Sequence, residues 1–415
     1  MTAEILSVGT ELLLGQIVNS DAQFISRKLS EAGIGLFRHV TVGDNPARLR
    51  ESLAEALSRA DIVITTGGLG PTADDLTKQV AAELLGLPLE LDAESAEGIE
   101  AFFKRRGRMM SENNLRQAYF ARGARILPNA YGTAPGCIVE RDGRCVIHLP
   151  GPPRELFPMF NRSVMPYLME RSGQTIVSRY IRIFGMGESE VETRVRDLME
   201  EGENPTLAPY CSLGEVQLRM TVRCAGAAEA PVLLAPLEQR VRERLGEVIY
   251  AVCDTPEETM PTVLVERLLK ARKTVAIAES CTGGMLSSML VDVPGVSGTL
   301  VEGHVTYANE AKMRVLGVKA ETLDRYGAVG EQTAREMAKG LSERSGADFA
   351  LSITGIAGPD GGTPEKPVGL VWIALADRQE IRTLRLNVQG DRMSIRTLAC
   401  LHAMHLLLRM PILQK

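Results

Sequence analysis

Aromatic residues make up only 4% of the 415 residues, and no apolar run is long enough to cross a membrane. There is no CxxC pair. The seven cysteines (Cys137, Cys145, Cys211, Cys224, Cys253, Cys281 and Cys400) are odd in number, which favours reduced thiols over a disulfide framework or a cysteine-ligated zinc site. Basic charge is not in excess: 47 Lys and Arg against 52 Asp and Glu give a net charge of −5, unlike a protein built mainly to bind nucleic acid. The cluster Lys104–Arg108 (KRRGR) is the local exception and reads as a solvated helix end or loop. No secretory leader pattern precedes the strand-like Glu4–Val8. These absences predict a cytoplasmic globular chain with no membrane contact, and its length suits two or three domains.

What is present is organised around Ile62–Thr77, IVITTGGLGPTADDLT. The β-branched run Asp61–Thr66 suits a buried strand, and it breaks into Gly67, Gly68 and Gly70 before Pro71. Such a loop can turn sharply and offer successive N–H groups to an anion, beside the start of a helix over Leu76–Leu85. Asp74, Asp75, Thr72 and Thr77 at this junction suit a hydrated divalent ion bridging protein and phosphate. They also suit plain helix capping.

Upstream, strands at Glu4–Val8 and Leu36–Val42 alternate with helices at Ser20–Ala32 and around Leu49–Ala60. That alternation predicts right-handed crossovers and a mostly parallel sheet covered on both faces. Ligands then sit beyond the carboxyl ends of the strands, where Glu11, Asp44 and the Gly67–Asp75 loop all fall. A strand at Cys145–Leu149 follows, Gly151–Met165 ends the first domain, and Tyr167–Thr175 reads as a linker. A small α+β unit comes next: strands at Ile176–Phe184, Glu215–Cys224 and Val248–Ala251, and helices at Gly187–Glu200 and Pro231–Leu245. Its Gly185-Met186-Gly187 turn is too little to argue nucleic-acid binding without a basic or aromatic platform, so a spacer or dimerisation role is favoured.

After a second linker, Asp254–Glu257, a helix at Pro261–Ala271 leads to a strand at Thr274–Ala278. That strand opens into Glu279-Ser280-Cys281-Thr282-Gly283-Gly284 and a helix at Met285–Val291. A serine at a strand-to-helix turn can be a presented nucleophile, or simply a cap. Another glycine turn, Thr354–Gly362, follows the strand Asp348–Ile353. A hairpin of Gly369–Ala376 with Glu380–Val388 precedes a long terminal helix. His402 and His405 in that helix read as packing residues rather than a metal pair.

Five motifs in order carry a resemblance: Gly9–Gly15, Val42–Asn45, Gly67–Asp75, Gly132–Gly136 and Leu149–Pro153. With Glu279–Gly284, Val293–Gly298, Gly303–Lys312 and Thr354–Gly362 added, the sequence resembles the CinA family over essentially its whole length. One departure is Asp21, where that family more often has Asn. The resemblance implies an α/β chain of three parts. Residues 1–170 form a three-layer α/β/α MoaB/MogA-like, molybdopterin-binding-like domain, 171–256 a small α+β KH-like connecting domain, and 257–415 an α/β nicotinamide mononucleotide deamidase domain.

It also implies metal-dependent ADP-ribose pyrophosphatase activity in the first part, with Gly67, Gly68, Gly70 and Thr72 at the phosphates. Asp74 and Asp75 would hold a divalent metal ion, with Asp44 and Glu11 beside it to position water. In the last part it implies amide hydrolysis without a cofactor by a serine–lysine mechanism, with Lys312 as base, Tyr307 as relay, and either Ser280 or Ser297 as nucleophile. Cys281 is a weaker candidate. Thr282, Gly283, Thr354, Gly355 and Gly358 would meet the substrate, and Arg392 its phosphate. The expected partners are the nucleotide substrates nicotinamide mononucleotide and ADP-ribose and a second copy of the chain as a homodimer, with no direct nucleic-acid contact. Two rivals stand beside this reading: a non-catalytic molybdopterin- or nucleotide-binding first domain, and a competence or DNA-repair partner protein.

Overall fold

The computed structural model describes residues 1–173 and 175–414. The chain divides into two compact units, Met1–Val177 with Val222–Leu233, and Ser178–Thr221 with Leu234–Lys415.

In the first unit, strands β1 (Thr2–Val8), β2 (Gly35–Val42) and β3 (Ile62–Thr66) alternate with helices at Ser20–Glu31 and Pro46–Arg59. A short antiparallel pair, β4 (Leu89–Leu91) with β5 (Tyr119–Ala121), flanks the helix Ala93–Arg105. Then come β6 (Arg125–Leu127), β7 (Gly136–Arg141) and β8 (Arg144–Leu149). The large sheet runs β2-β1-β3-β8-β7-β6, parallel through its first four strands and antiparallel in the last two. Period-two alternation builds two cores. Ala3, Ile5, Ile62, Ile64 and Ile147 face helices Ser20–Glu31 and Pro153–Met159, while Leu6, Val8 and Val63 face Pro46–Arg59 and Thr77–Leu84. The three-layer expectation holds. Asn19 caps the first helix by accepting from Ala22 N (3.0 Å), and Asn45 caps the second.

The stretch read as a linker, Tyr167–Thr175, is mostly helix. Met165–Ser172 starts with Pro166 in its first turn, where a missing N–H costs nothing, buries Leu168 fully and ends on left-handed Gly173. Gln174 lies outside the described residues. The KRRGR cluster sits exposed at the end of helix Ala93–Arg105.

The middle sheet runs β10-β11-β9-β12, from β9 (Thr175–Phe184), β10 (Thr206–Ser212), β11 (Glu215–Cys224) and β12 (Ile249–Cys253), with helices Glu188–Glu200 and Ala230–Leu245. Gly187 caps the first of these helices, and Glu188 and Glu190 fill its first turn. Two carboxylates there oppose phosphate binding at this turn.

The last domain holds β13 (Val275–Glu279), β14 (Leu300–Val305), β15 (Phe349–Gly355), β16 (Leu370–Ala376) and β17 (Ile381–Asn387), ordered β14-β13-β15-β16-β17. β13 lies parallel to both neighbours; β15, β16 and β17 are antiparallel in turn, so the expected hairpin is present. One face packs Val275, Ile277 and Leu351 against helices Met260–Ala271 and Arg392–Leu408. The other face is lined by alanines (Ala276, Ala278, Ala350, Ala374, Ala376), which lets helix Glu331–Ser345 come close. His402 and His405 pack on Phe184, with ring centroids 4.7 Å away in each case, as expected of a packing helix.

The same helix Glu331–Ser345 runs past Leu316 so tightly that a Cβ on Gly340 would lie 1.7 Å from the Leu316 carbonyl oxygen. Because the obstacle is backbone, Gly340→Ala is expected to lower stability by about 1–3 kcal/mol despite alanine's better helix propensity. Thermal denaturation would show this; a rise in Tm would mean the helix can slide.

Candidate functional site

At the carboxyl end of β13 the chain turns through Ser280 into the helix Met285–Val291. Ser280 N donates to Ile353 O (2.9 Å), which ties the turn to the neighbouring strand β15. Gly283 (φ +60°) and Gly284 (φ +91°) take left-handed conformations that let the turn close. Glu279, fully buried, anchors the turn from inside. Its carboxylate accepts from Gly284 N (3.1 Å), Leu286 N (3.1 Å), Ser287 N (2.9 Å) and Ser287 Oγ (2.6 Å). Four donors satisfy that charge at the start of a helix, so Glu279 positions the turn.

Lys312 comes from the helix Asn309–Leu316, which follows β14, and its side chain has no exposed surface. Its Nζ lies 3.0 Å from Ser280 Oγ, 2.8 Å from Thr306 O and 3.0 Å from Tyr307 O. Burial depresses its pKa below the ordinary lysine value, with the nearby Cys281 thiol a smaller opposing influence. As an ammonium it donates three hydrogen bonds. As an amine it keeps two, to the carbonyls, and turns its lone pair on the serine hydroxyl. This is the arrangement a general base needs.

The two candidate serines are thereby separated. Ser280 is on the lysine, whereas Ser297 is exposed in a turn before β14. Lys312 follows the other end of that strand, so its six residues put ~20 Å between Ser297 and the base. Tyr307 is also not the relay expected: its carbonyl touches Lys312 while its side chain is 62% exposed. The phenol instead meets Arg392 Nη2 at 3.5 Å, and Arg392 Nη1 donates to Gly358 O (2.6 Å). Arg392, Tyr307 and Gly358 therefore come together, and the Tyr307 backbone ties them to Lys312.

Thr354 and Gly355 do not join them. Thr354 is buried and donates to Ala328 O (2.7 Å), and a Cβ on Gly355 would lie 2.7 Å from Val371 Cγ2, so both serve packing. Cys281 is buried and pushed up to about 11 by burial, which leaves it a poor nucleophile. Arg396 escaped the sequence reading although it lies one helical turn beyond Arg392; its Nη2 donates to Thr282 O (2.7 Å). Around the serine–lysine pair, Thr282 Oγ1, Thr306 Oγ1 and Arg396 Nε are buried without a hydrogen-bond partner among the described residues.

In the first unit the glycine loop is filled by the chain itself. A Cβ on Gly67 would lie 2.2 Å from Val8 O, on Gly68 2.1 Å from Thr77 Oγ1, and on Gly70 2.4 Å from Asp75 Oδ2. The glycines thus make room for neighbouring protein atoms rather than for a phosphate. The four acids expected at a metal site do not gather into one group: Asp74 and Asp75 both engage Thr72, whereas Asp44 engages Thr10. Asp44 Oδ2 accepts from Thr10 N and Oγ1 (2.9 Å each), and Asp75 Oδ2 accepts from Thr72 N (2.9 Å) and the Thr72 hydroxyl. Asp74 is exposed, its carboxyl held low first by the Thr72 hydroxyl. Among the described residues no three His, Cys, Asp or Glu side chains form a metal-holding group. Those donors do not make up a preformed all-protein ion cage.

Two cavities flank the loop. One of about 270 Å³ is lined by Glu11, Asp21 and Thr66; another of about 110 Å³ is lined by Gly70, Asp75, Lys78 and Arg116. Burial brings Lys78 down to about 8, and its Nζ stacks over the Phe120 ring at 4.1 Å.

A doubly wound domain, a KH-like four-stranded unit and an α/β domain with a buried serine–lysine pair define a multidomain α/β protein with the makings of an enzyme. Residues 4–170 match the family described as a probable molybdopterin binding domain, 178–251 the damage-inducible protein CinA KH domain, and 257–411 the CinA C-terminal domain. A CinA-like protein of Kosmotoga olearia is 50% identical over 404 residues, 97% of each chain. A putative competence-damage inducible protein of Thermoanaerobacter pseudethanolicus is 49% identical over 409 residues, 99% of this chain and 98% of that one. The chain belongs to the CinA family. Among solved structures, a competence/damage inducible protein from Agrobacterium tumefaciens is 38% identical, covering 38% of this chain and 96% of its own, with a TM-score of 0.36. The molybdopterin biosynthesis enzyme MoaB of Thermus thermophilus is 17% identical, covering 41% and 96%, with a TM-score of 0.27. No helix among the described residues is long and apolar enough to cross a membrane.

Proposed function

We propose that the C-terminal domain hydrolyses the carboxamide of nicotinamide mononucleotide, with Ser280 as nucleophile and Lys312 as base. The observation that carries this is the fully enclosed Lys312 amine, 3.0 Å from Ser280 Oγ, with two carbonyls to hold its hydrogens and, among the described residues, no carboxylate to hold its charge. Lys312 Nζ takes the Ser280 proton as Oγ attacks the carboxamide carbon. The tetrahedral oxyanion collapses, the C–N bond breaks, and the proton on Nζ passes to the leaving nitrogen, releasing ammonia. Water, deprotonated by the same amine, then cleaves the acyl-serine ester to give nicotinate mononucleotide. Arg392, linked to the serine–lysine pair through Tyr307, suits the substrate's phosphate. The unpartnered Thr282, Thr306 and Arg396 atoms mark polar space beside the reacting pair. Ammonia release should vanish in Ser280→Ala and persist in Ser297→Ala; the opposite pattern would remove Ser280 from the reaction.

The charge state of Lys312 sets the pH dependence. Only the amine accepts a proton, so kcat/KM should fall tenfold per pH unit below the lowered pKa of Lys312 and level off above it. A profile that declined towards alkaline pH instead would exclude a lysine base.

For the N-terminal domain we propose binding of a pyrophosphate-linked nucleotide such as ADP-ribose in the cavity beside the Gly67–Asp75 loop, through its cationic side chains rather than the glycine turn itself. Support comes from Lys78 and Arg116, two cations lining the cavity beside Asp75. The scattered acids favour a non-catalytic binding role over hydrolysis. With added divalent ion, a catalyst would yield AMP and ribose 5-phosphate, and Asp74→Ala/Asp75→Ala would stop it. The binding module would retain ADP-ribose without turnover.

A further inference from the structure

A cavity of about 450 Å³ lies where the KH-like domain meets the C-terminal domain. It is separate from the serine–lysine site and owes nothing to that reading. Arg242 reaches it from the helix Ala230–Leu245, Arg267 from the helix Met260–Ala271, and Arg409 from just past the helix Arg392–Leu408. Glu247 is the one carboxylate on its wall among the described residues.

The ion pairs leave an imbalance. Arg409 pairs with Glu247 at 2.9 Å, and Arg242 with Glu238 at 2.9 Å, though Glu238 also serves Arg179 at 3.2 Å. Arg267 has no carboxylate within ion-pair distance among the described residues, and its Nη2 donates to the Tyr250 carbonyl. Tyr250 belongs to β12, the edge of the middle sheet, so Arg267 takes the place of a missing strand partner with one of its five N–H donors. Burial works against this guanidinium, and arginine cannot escape by releasing its proton. A half-buried cation with spare donors, flanked by two more arginines and facing a roomy polar cavity, is suited to receive an anion.

We propose that this cavity binds a small phosphate-bearing anion, with Arg267 as its central contact and Arg242 and Arg409 at its rim. Its volume admits a pyrophosphate group or a mononucleotide, and the planar fork of arginine matches phosphate oxygens in pairs. His405 on the same wall, neutral because burial brings it down to about 4, adds a ring N–H without a second charge.

The test is isothermal titration of the full-length protein with inorganic phosphate, inorganic pyrophosphate and AMP in parallel, which separates a free-phosphate site from one that needs the nucleoside. The isotherm should contain one anion-binding event per chain that survives both Arg392→Ala and Lys78→Ala, the changes aimed at the two phosphate sites proposed above. It should weaken at least tenfold in Arg267→Gln, with ammonia release from nicotinamide mononucleotide unchanged. Arg409→Glu changes a side chain that is 55% exposed, so it should fold even if Arg267→Gln does not, and it should weaken the same event. Titrations identical to wild type in both variants, or an event lost only in Arg392→Ala, would overturn the proposal.

Discussion

Lys312→Ala is expected to cut ammonia release from nicotinamide mononucleotide by about 10³-fold, in line with removal of a general base. Lys312→Met, which keeps the volume of the stem, should do the same while filling the enclosed space. The pair should behave as a unit. Ser280→Ala combined with Lys312→Ala is expected to be no slower than Ser280→Ala alone, because the base has no task without the nucleophile. Single-turnover assays with matched circular dichroism spectra would check both points. Wild-type activity in Lys312→Met would end the serine–lysine mechanism, since no other buried amine lies within 3.0 Å of Ser280 among the described residues.

Glu279→Gln should show the largest loss of stability at a single side chain. The substitution is nearly isosteric, yet it replaces one acceptor oxygen by an NH2 group facing donors that already point inward. Charged hydrogen bonds in a buried setting contribute enough that a loss of about 3 kcal/mol is expected. In a domain of this size that lowers the melting temperature by roughly 6–12 °C. The effect should be seen first in the C-terminal domain, and differential scanning calorimetry would resolve it. An unchanged transition would mean that water can replace the carboxylate, and that the serine turn stands without it.

Much of the architecture was legible because it follows from periodicity. The run Ile62–Thr66, the alternating Glu215–Cys224 and the glycine breaks at strand ends each predict what the structure contains. The choice between Ser280 and Ser297 was not legible, because distance along the chain points the wrong way. Ser297 is 15 residues from Lys312, whereas Ser280 is 32 away. What reverses the order is the parallel ladder between β13 and β14, which sets Glu279 beside Val305 and hence the serine turn beside Thr306. β14 reads LVEGHV, a partly exposed edge strand with Glu and His among its apolar residues, so it gives no buried-strand signal. The helix Met165–Ser172 was missed for a related reason. Its eight residues bury only Leu168, too little to show a periodic face. Around the glycine loop the sequence was ambiguous in kind: a glycine needed by a ligand and one needed by the Val8 carbonyl look alike until the fold is known.

A lysine with no exposed surface is closed to the reagents that modify ordinary lysines. Acyl donors, reductive methylation and Schiff-base-forming aldehydes all require an approaching carbon that the walls around Lys312 exclude. While the domain stays closed, its most important amine is the one that labelling leaves untouched, and its tagging would report the rate at which this corner of the chain opens.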